Sequence, residues 1–204
     1  MVARCNVALE YPSALPKMGG MGRLLAILVI FAVLTPSASA LADQSDKRLP
    51  SLFARLKVTK NDFEALSIEN EIWGIWMESG DADVDALMER GVGAMNVGDF
   101  ETALAAFNRV IEVKPKFAEG WNKRATLYYL MQRYDDSVQD IARTLELEPH
   151  HFGALSGLGL INGALGRYKV AIDAWEQALE VDPHLAGAKD RIKELRQKLQ
   201  GKEL

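Results

Sequence analysis

The order of apolar, small and polar residues repeats along the second half of the chain. Each period opens with a bulky apolar residue and a small one four positions later, in the pairs Leu87 and Gly91, Trp121 and Ala125, and Leu155 and Gly159. It continues with an aromatic, a small and a large apolar residue, in the sets Phe100, Ala103 and Phe107; Tyr134, Ser137 and Ile141; and Tyr168, Ala171 and Trp175. Offsets of three and four place side chains on one helix face. Every period therefore predicts two amphipathic helices.

Three prolines mark the length of the period. Pro115, Pro149 and Pro183 are each separated by 34 residues. The corresponding units are 84–117, 118–151 and 152–185. A helix pair of that length buries its apolar face only against neighbouring pairs. The pattern thus predicts an all-α protein in which three antiparallel helix pairs stack.

The repeated positions resemble the signature of the tetratricopeptide repeat (TPR) family, W-x2-L-G-x2-Y, A-x3-F and P. The matching residues are Trp121, Ala125 and Tyr128, then Ala171 and Trp175, and the three prolines. The departures are Ala94 and Asn162 in place of the first-helix aromatic, and Ser137 and Ile141 in place of Ala and Phe. The resemblance covers roughly half of the chain. It implies an all-α TPR α-solenoid of antiparallel helix pairs that forms a right-handed superhelix.

The residues that follow the third unit continue the helical pattern. Within 186–204, Ala188, Ile192, Leu195 and Leu199 recur at offsets of three and four among charged residues. A stack of repeats needs a last helix with a polar outer face. We therefore interpret 186–204 as a C-terminal capping helix and tail.

Residues 41–83, in front of the first unit, predict a degenerate helical pair. We expect its helices at Leu49–Leu56 and Asp62–Met77, and Asn61 with Glu64 has the spacing of a capping box. Together these helices are about as long as one repeat.

Trp73 and Trp76 lie on one face of the second of these helices, together with Ile72. Indoles at helical spacing are more often core residues than a platform for a ligand. We therefore expect this face to pack, and the Val84–Val97 helix is the expected neighbour.

The first 40 residues have the features of a secretory signal peptide. An apolar run, Leu24–Leu34, follows basic residues and precedes a small-x-small cleavage site at 38–40. The run is shorter than the ~20 residues that a membrane-spanning helix needs. We expect cleavage after Ala40 or Ala42, and Met18 or Met21 is a candidate for the true start. The alternative is an uncleaved inner-membrane anchor, and either arrangement places the repeats in the periplasm or outside the cell.

Charge and cysteine content narrow the classes of partner. The chain is 49% hydrophobic and 25% charged, with a net charge of −4 at pH 7. Residues 1–40 hold three of the 24 Lys and Arg and one of the 28 Asp and Glu, so their removal leaves −6. Nucleic acid requires a concentrated basic surface, so it is not an expected partner. Cys5 is the single cysteine, and its removal leaves a mature chain without disulfides.

The TPR resemblance implies that the inner surface of the superhelix, on the first helix of each repeat, binds a partner. Three sets of residues on these helices share offsets of four and three: Met88, Val92 and Met95; Asn122, Thr126 and Tyr129; Ser156, Leu160 and Gly163. Lys123 adjoins the second set and is included with it. Thioethers adapt to varied side chains, and Asn122 and Tyr129 offer hydrogen bonds to a peptide backbone. These residues predict a groove for a protein or peptide partner.

The composition of this groove limits its ligands. Some family members clamp a terminal carboxylate, at slots that here hold Met88, Val92, Lys123, Gly153 and Gly157. Only one of these residues is a cation, so binding of a chaperone tail is disfavoured. Gly153, Gly157 and Gly163 either leave a shallow floor for a ligand's backbone or have no binding role.

No catalytic constellation accompanies the groove. The three histidines, His150, His151 and His184, neighbour the repeat prolines without a nucleophile or ligand cluster nearby. We expect them to be solvent-exposed turn residues, and we expect no enzymatic activity, cofactor, metal or small-molecule substrate.

The leading hypothesis is a protein–protein interaction module of the bacterial cell envelope. Its groove would bind a segment of a partner and assist the assembly of an envelope complex. Two alternatives stay open: a homo-oligomeric structural scaffold that uses the tryptophans or the last helix, and an accessory subunit that organises an envelope enzyme machine.

Overall fold

The computed structural model describes residues 43–201 of the 204-residue chain. Within that range the chain forms nine α-helices and no strand. They are α1 (Leu49–Val58), α2 (Asp62–Met77), α3 (Ala82–Asn96), α4 (Phe100–Val113), α5 (Ala118–Leu130), α6 (Tyr134–Leu147), α7 (Phe152–Ala164), α8 (Tyr168–Val181) and α9 (Ala188–Gln200). The predicted signal peptide, residues 1–40, and Cys5 lie outside the described residues.

Helices α3 to α8 form the three predicted helix pairs, α3 with α4, α5 with α6, and α7 with α8. Successive pairs pack through α4 against α5 and through α6 against α7. Pro115, Pro149 and Pro183 follow the ends of α4, α6 and α8, where a residue without an N–H cannot continue a helix. Asp99 caps α4 by accepting a hydrogen bond from the Thr102 N–H at 3.1 Å. The predicted all-α stack of three helix pairs is confirmed.

The small positions of the first helices let the two helices of a pair approach closely. A Cβ built at Gly91 would lie 2.5 Å from Phe107 Cε1, and one at Gly159 would lie 2.5 Å from Trp175 Nε1. Real Cβ atoms do not approach other atoms so closely, so a larger residue would displace these aromatic rings. The periodic pairing of small and aromatic residues therefore has a steric cause.

Helix α9 covers the end of the stack, as predicted. Its buried residues Ala188, Ile192 and Leu195 form one apolar cluster with α8, which contributes Ala171, Ile172 and Trp175. The remaining surface of α9 is largely charged, so the last repeat does not present an apolar face to solvent.

The N-terminal hairpin, α1 and α2, is a helical pair as predicted, but it packs elsewhere than expected. Trp73 and Trp76 lie against His151 and Phe152, at the start of the third repeat, and not against the Val84–Val97 helix. The ring of Trp73 is 5.4 Å from that of Phe152, edge to face. The expected stacking in front of the first repeat was wrong because helical periodicity identifies an apolar face without identifying the surface that covers it.

The N-terminal hairpin and the residues before it run along the edge of the stack that carries the inter-repeat turns. At the first turn, the side chain of Gln44 accepts a hydrogen bond from the Ala118 N–H at 3.1 Å. At the second, the ring centroids of Phe53 and His150 are 5.3 Å apart. At the third, His184 Nε2 lies 3.1 Å from the Thr59 carbonyl oxygen. One segment thus connects all three repeats.

No helix within residues 43–201 combines the length and the apolar character that crossing a membrane requires.

Candidate functional site

A cavity of about 120 Å³ opens between α5 and α7, on the surface predicted to bind a partner. Five of the predicted residues line it: Asn122, Thr126 and Tyr129 from α5, and Ser156 and Leu160 from α7. Ile141 and Ile161 contribute buried apolar surface below them. Every lining residue is uncharged. The cavity can therefore hold an apolar side chain while hydroxyl and amide groups at its wall meet polar backbone groups.

Gly163 lies beside this cavity rather than in it. It lines a neighbouring crevice that is shared by Tyr129 and Leu160 and is closed on the far side by α9. Because Tyr129 and Leu160 border both spaces, the second and third repeats present one continuous surface.

The first-repeat set does not line this cavity. Met88 is 1% exposed and belongs to the core of the first repeat. Val92 and Met95 are partly buried and pack against the same cluster. The prediction that Met88 lies in an open groove was therefore wrong. Its side chain packs into the apolar cluster that includes Val84 and Phe107, and so it does not reach solvent.

Lys123 is already engaged with two groups of this chain. Its Nζ lies 2.8 Å from Glu119 Oε1 and 5.2 Å from the centroid of the Trp73 ring. Asn122 is also buried, and its amide donates to Glu119 Oε2 at 3.0 Å. These two predicted groove residues therefore belong to an internal polar cluster, with Asn122 at the border of the cavity.

His151 is the centre of that cluster, and its predicted exposure was wrong. The residue is 0% exposed, and its ring stacks on Trp76 with centroids 4.0 Å apart and planes 11° apart. Its Nδ1 accepts a hydrogen bond from the Ala154 N–H at 3.1 Å, which caps α7. Its Nε2 therefore carries the ring proton and donates it to Glu119 Oε2 at 2.8 Å.

The other two histidines differ from His151 in their surroundings. The side chain of His150 is 62% exposed, as predicted for a turn residue. His184 is mostly covered by the N-terminal hairpin, with Nδ1 3.4 Å from Asp62 Oδ1. The period of 34 places His150 and His184 in equivalent positions, and the hairpin makes their surroundings unequal.

The glycines of the third repeat accommodate side chains of this chain. A Cβ at Gly153 would lie 2.6 Å from Trp73 Cη2, one at Gly157 would lie 3.1 Å from Ile141 Cδ1, and one at Gly163 would lie 3.5 Å from Leu195 Cδ2. Gly153 thus has a packing role, which the floor hypothesis did not include. The sequence alone does not indicate this packing role, because it does not show that Trp73 is the neighbour of Gly153.

Glu119 is buried, and its carboxylate contacts Lys123 and His151. These surroundings control its ionisation. Burial acts to raise the pKa of Glu119, but the charge of Lys123 and the hydrogen bond from His151 outweigh it and hold the pKa below its usual value of 4.5. Sequence reasoning missed this residue because a glutamate in the first turn of a helix is ordinarily a surface residue.

Replacing Glu119 by Gln should destabilise the protein in a pH-dependent way. The variant leaves Lys123 without its counter-charge, so we expect the free energy of unfolding at pH 7 to fall by about 1–3 kcal/mol. A carboxyl with a lowered pKa in the folded state stabilises above its unfolded pKa, and this contribution is lost as the pH falls through the folded value. The difference between wild type and variant, measured by urea unfolding, should therefore persist at neutral pH and shrink only as the pH falls below the usual carboxyl pKa of 4.5. An unchanged difference would contradict this account.

Among the described residues, no group of three or more His, Cys, Asp or Glu side chains is placed to hold a metal ion.

Comparison with known proteins agrees with the repeat architecture. A family model described as Tetratricopeptide repeat matches residues 88–137 and 122–186. A TPR repeat-containing protein of Rhizobium etli is 38% identical over 155 residues, which cover 76% of each protein. Small glutamine-rich tetratricopeptide repeat-containing protein 2 of Mycosarcoma maydis is 28% identical over 50% of this chain, but the match spans only 29% of that relative.

Solved TPR domains have a similar fold. The first TPR domain of human RPAP3 superposes with a TM-score of 0.56 at 22% identity, covering 59% of this chain and 94% of that domain. The first TPR of Spaghetti (RPAP3), bound to the HSP90 peptide SRMEEVD, also gives 0.56, at 21% identity, with 59% and 96% covered. With the match to the Rhizobium protein and the three helix pairs, these similarities show that the chain belongs to the tetratricopeptide repeat family.

Proposed function

We propose that the surface of α5 and α7 binds an extended or helical segment of a partner protein. The observation that carries this proposal is the uncharged cavity that is bordered by Thr126, Tyr129, Ser156 and Leu160. Thr126 and Leu160 are exposed there, so a partner reaches them without rearrangement of the repeats. The Spaghetti TPR domain with its bound HSP90 peptide supports peptide binding by this fold.

The ligand proposed here differs from an acidic chaperone tail. Of the five slots that match a carboxylate clamp, only Lys123 carries a positive charge, and it already pairs with Glu119. A free terminal carboxylate would therefore enter an uncharged cavity, which is unfavourable. An internal segment with apolar side chains fits the lining better.

We place the protein in the bacterial cell envelope, where it would act without catalysis in the assembly of a complex. The apolar run Leu24–Leu34 and the small residues that follow it support export. The similarity to a Rhizobium etli protein over most of both chains supports a bacterial setting. A localisation experiment with a periplasmic reporter fused after residue 204 tests this part separately.

Crosslinking from the cavity tests the binding proposal. A photoreactive residue in place of Tyr129 should crosslink to a specific partner in cells, because its side chain borders the cavity. Adding Leu160→Glu should reduce the yield at least about tenfold, because a carboxylate would be desolvated in the occupied site. Leu165→Glu is the matched control, since Leu165 is 39% exposed against 36% for Leu160 and lies outside the cavity. Equal yields from the two variants would overturn the proposal.

A further inference from the structure

Helix α9 forms one wall of the crevice that adjoins the cavity, and it brings charged side chains to this surface. We propose that the partner segment carries an acidic side chain next to its apolar one, and that Arg191 of α9 binds this carboxylate. The inference rests on the proposed function, since it adds a second contact to the segment that the cavity receives.

The crevice is continuous with the cavity. Tyr129 and Leu160 border both spaces, and the crevice is also lined by Gly159, Gly163 and Trp175. Its volume of about 240 Å³ is larger than the 120 Å³ of the cavity. A segment whose apolar side chain enters the cavity therefore brings a neighbouring side chain on the same face to the crevice.

The charges beside these two spaces come from α9. The described residues that line the cavity are all uncharged, and the charged ones that line the crevice are Arg191, Glu194 and Lys198. Their offsets of three and four place them on one face of the helix. Two cations and one carboxylate leave this surface with a net charge of +1.

The single carboxylate of this group pairs more closely with Lys198 than with Arg191. Glu194 Oε1 lies 2.7 Å from Lys198 Nζ, whereas Glu194 Oε2 lies 3.4 Å from Arg191 Nη1. In the rest of the described chain, arginines paired with a carboxylate three positions later have distances of 2.6, 2.8 and 2.6 Å: Arg109 with Glu112, Arg133 with Asp136, and Arg143 with Glu146. Arg191 thus lacks a close carboxylate.

The guanidinium of Arg191 is suited to a second carboxylate. It has five N–H donors, and two of them can bind the two oxygens of a carboxylate in parallel, a geometry that a neutral amide or hydroxyl does not match. The side chain is 58% exposed, so a partner reaches it without rearrangement of α9. Charge complementarity therefore favours Asp or Glu at this point of the segment.

Glu194 does not replace the partner's carboxylate. The hydrogen bond from Lys198 and the charge of Arg191 hold the pKa of Glu194 below its usual value, so it is ionised at neutral pH. One negative charge offsets only one of the two cations. An acidic side chain of the partner would balance the other.

Selection from a phage-displayed library of short random peptides, with the full chain as bait, tests the inference. We expect the selected peptides to combine an apolar residue with a nearby Asp or Glu. Arg191→Glu should change this acidic preference to Lys or Arg. Arg196→Glu is the matched control, since Arg196 lies on the same helix, is 60% exposed and lines neither space. It should retain the acidic preference.

Affinities measured with one selected peptide give the size of the effect. Fluorescence anisotropy should show at least about tenfold weaker binding by Arg191→Glu, because the variant places a like charge beside the carboxylate. The same peptide with lysine at the acidic position should bind Arg191→Glu better than wild type. If Arg191→Glu is not helical by circular dichroism, Arg191→Gln takes its place, with a loss of about threefold or more.

Glu194→Gln should have the opposite effect on the same peptide. The variant removes the internal counter-charge of Arg191 and Lys198, so both cations become available to the partner. We expect binding to become about threefold tighter or more. A purely structural role of Arg191 does not predict this gain, and unchanged or weaker binding by Glu194→Gln would contradict the inference.

The outcomes separate this inference from the proposed function. An apolar preference that Leu160→Glu abolishes, without any preference for acidic residues, overturns the role of Arg191 and leaves the cavity proposal standing. An acidic preference that survives Arg191→Glu also overturns the inference. If Arg191→Glu reverses the acidic preference but Leu160→Glu changes nothing, the cavity proposal fails. Selection of no peptide by wild type counts against both.

Discussion

Trp175→Ala is expected to lower the free energy of unfolding by about 3–5 kcal/mol, as large aromatic-to-alanine changes in cores do. Trp175 is buried in α8, contacts Gly159 of α7 and belongs to the cluster that α9 covers. Its removal leaves a cavity where three helices meet, and the rigid helix backbones close it only in part. Urea unfolding followed by circular dichroism measures the change.

Val170→Ala in the same helix is the matched control for Trp175→Ala. Val170 is 53% exposed, so its loss should change the free energy of unfolding by no more than about 0.5 kcal/mol. A similar small change for Trp175→Ala would mean that α9 and α7 do not depend on the tryptophan for their packing.

Trp76→Ala should also cost about 3–5 kcal/mol, with the loss concentrated in the N-terminal hairpin. Trp76 is fully buried, stacks on His151 and packs beside Phe152. Its removal weakens both the core of the hairpin and its contact with the repeats. Amide hydrogen exchange should therefore rise most in residues 49–77 and change much less in α5 to α8.

Phe63→Ala is the control on the same helix, because Phe63 is 87% exposed. It should leave the exchange of the hairpin nearly unchanged. If Trp76→Ala instead raises exchange evenly in all helices, then the hairpin and the repeats unfold as one cooperative unit.

The repeats were predictable because their determinants are local. Gly91 and Phe107, or Gly159 and Trp175, are only 16 residues apart and recur with the period, so the pairing of small and large residues can be recognised in the sequence. The structure confirms that these pairs are the points where two helices of a repeat touch. Helix ends were predictable for the same reason, since prolines act on the backbone of their own turn.

The candidate site was predictable only in part. Thr126, Tyr129 and Leu160 lie on the expected face because helical offsets determine which side chains share a face. Met88, which corresponds to Asn122 and Ser156 in the later repeats, lies on the same predicted face and is nevertheless buried, as is Asn122. Its burial depends on what packs against that face, and periodicity contains no information about coverage.

The polar cluster was missed because its members come from separate segments. Glu119 and His151 are 32 residues apart, and Trp76 lies 75 residues before His151. A histidine before a helix is a weak signal for an N-cap, and neither its contact with Glu119 nor its stacking partner is indicated locally. Export, the partner and its setting remain proposals that the crosslinking and localisation experiments address.

By itself, the sequence determined that this protein is a stack of three TPR helix pairs with a covering helix, since each of these features follows from the spacing of residues within one repeat or between neighbouring repeats. Only the tertiary structure decided that α2 packs against Lys123, His151 and Phe152, and which part of the predicted groove stays open. The physical reason is that the hydrophobic effect is non-directional, so burial of the apolar face of the hairpin is favourable against any apolar surface of matching shape. Shape at Gly153 and charge at Lys123 select one of them, and only the packing of α5 beside α7 brings these two residues together.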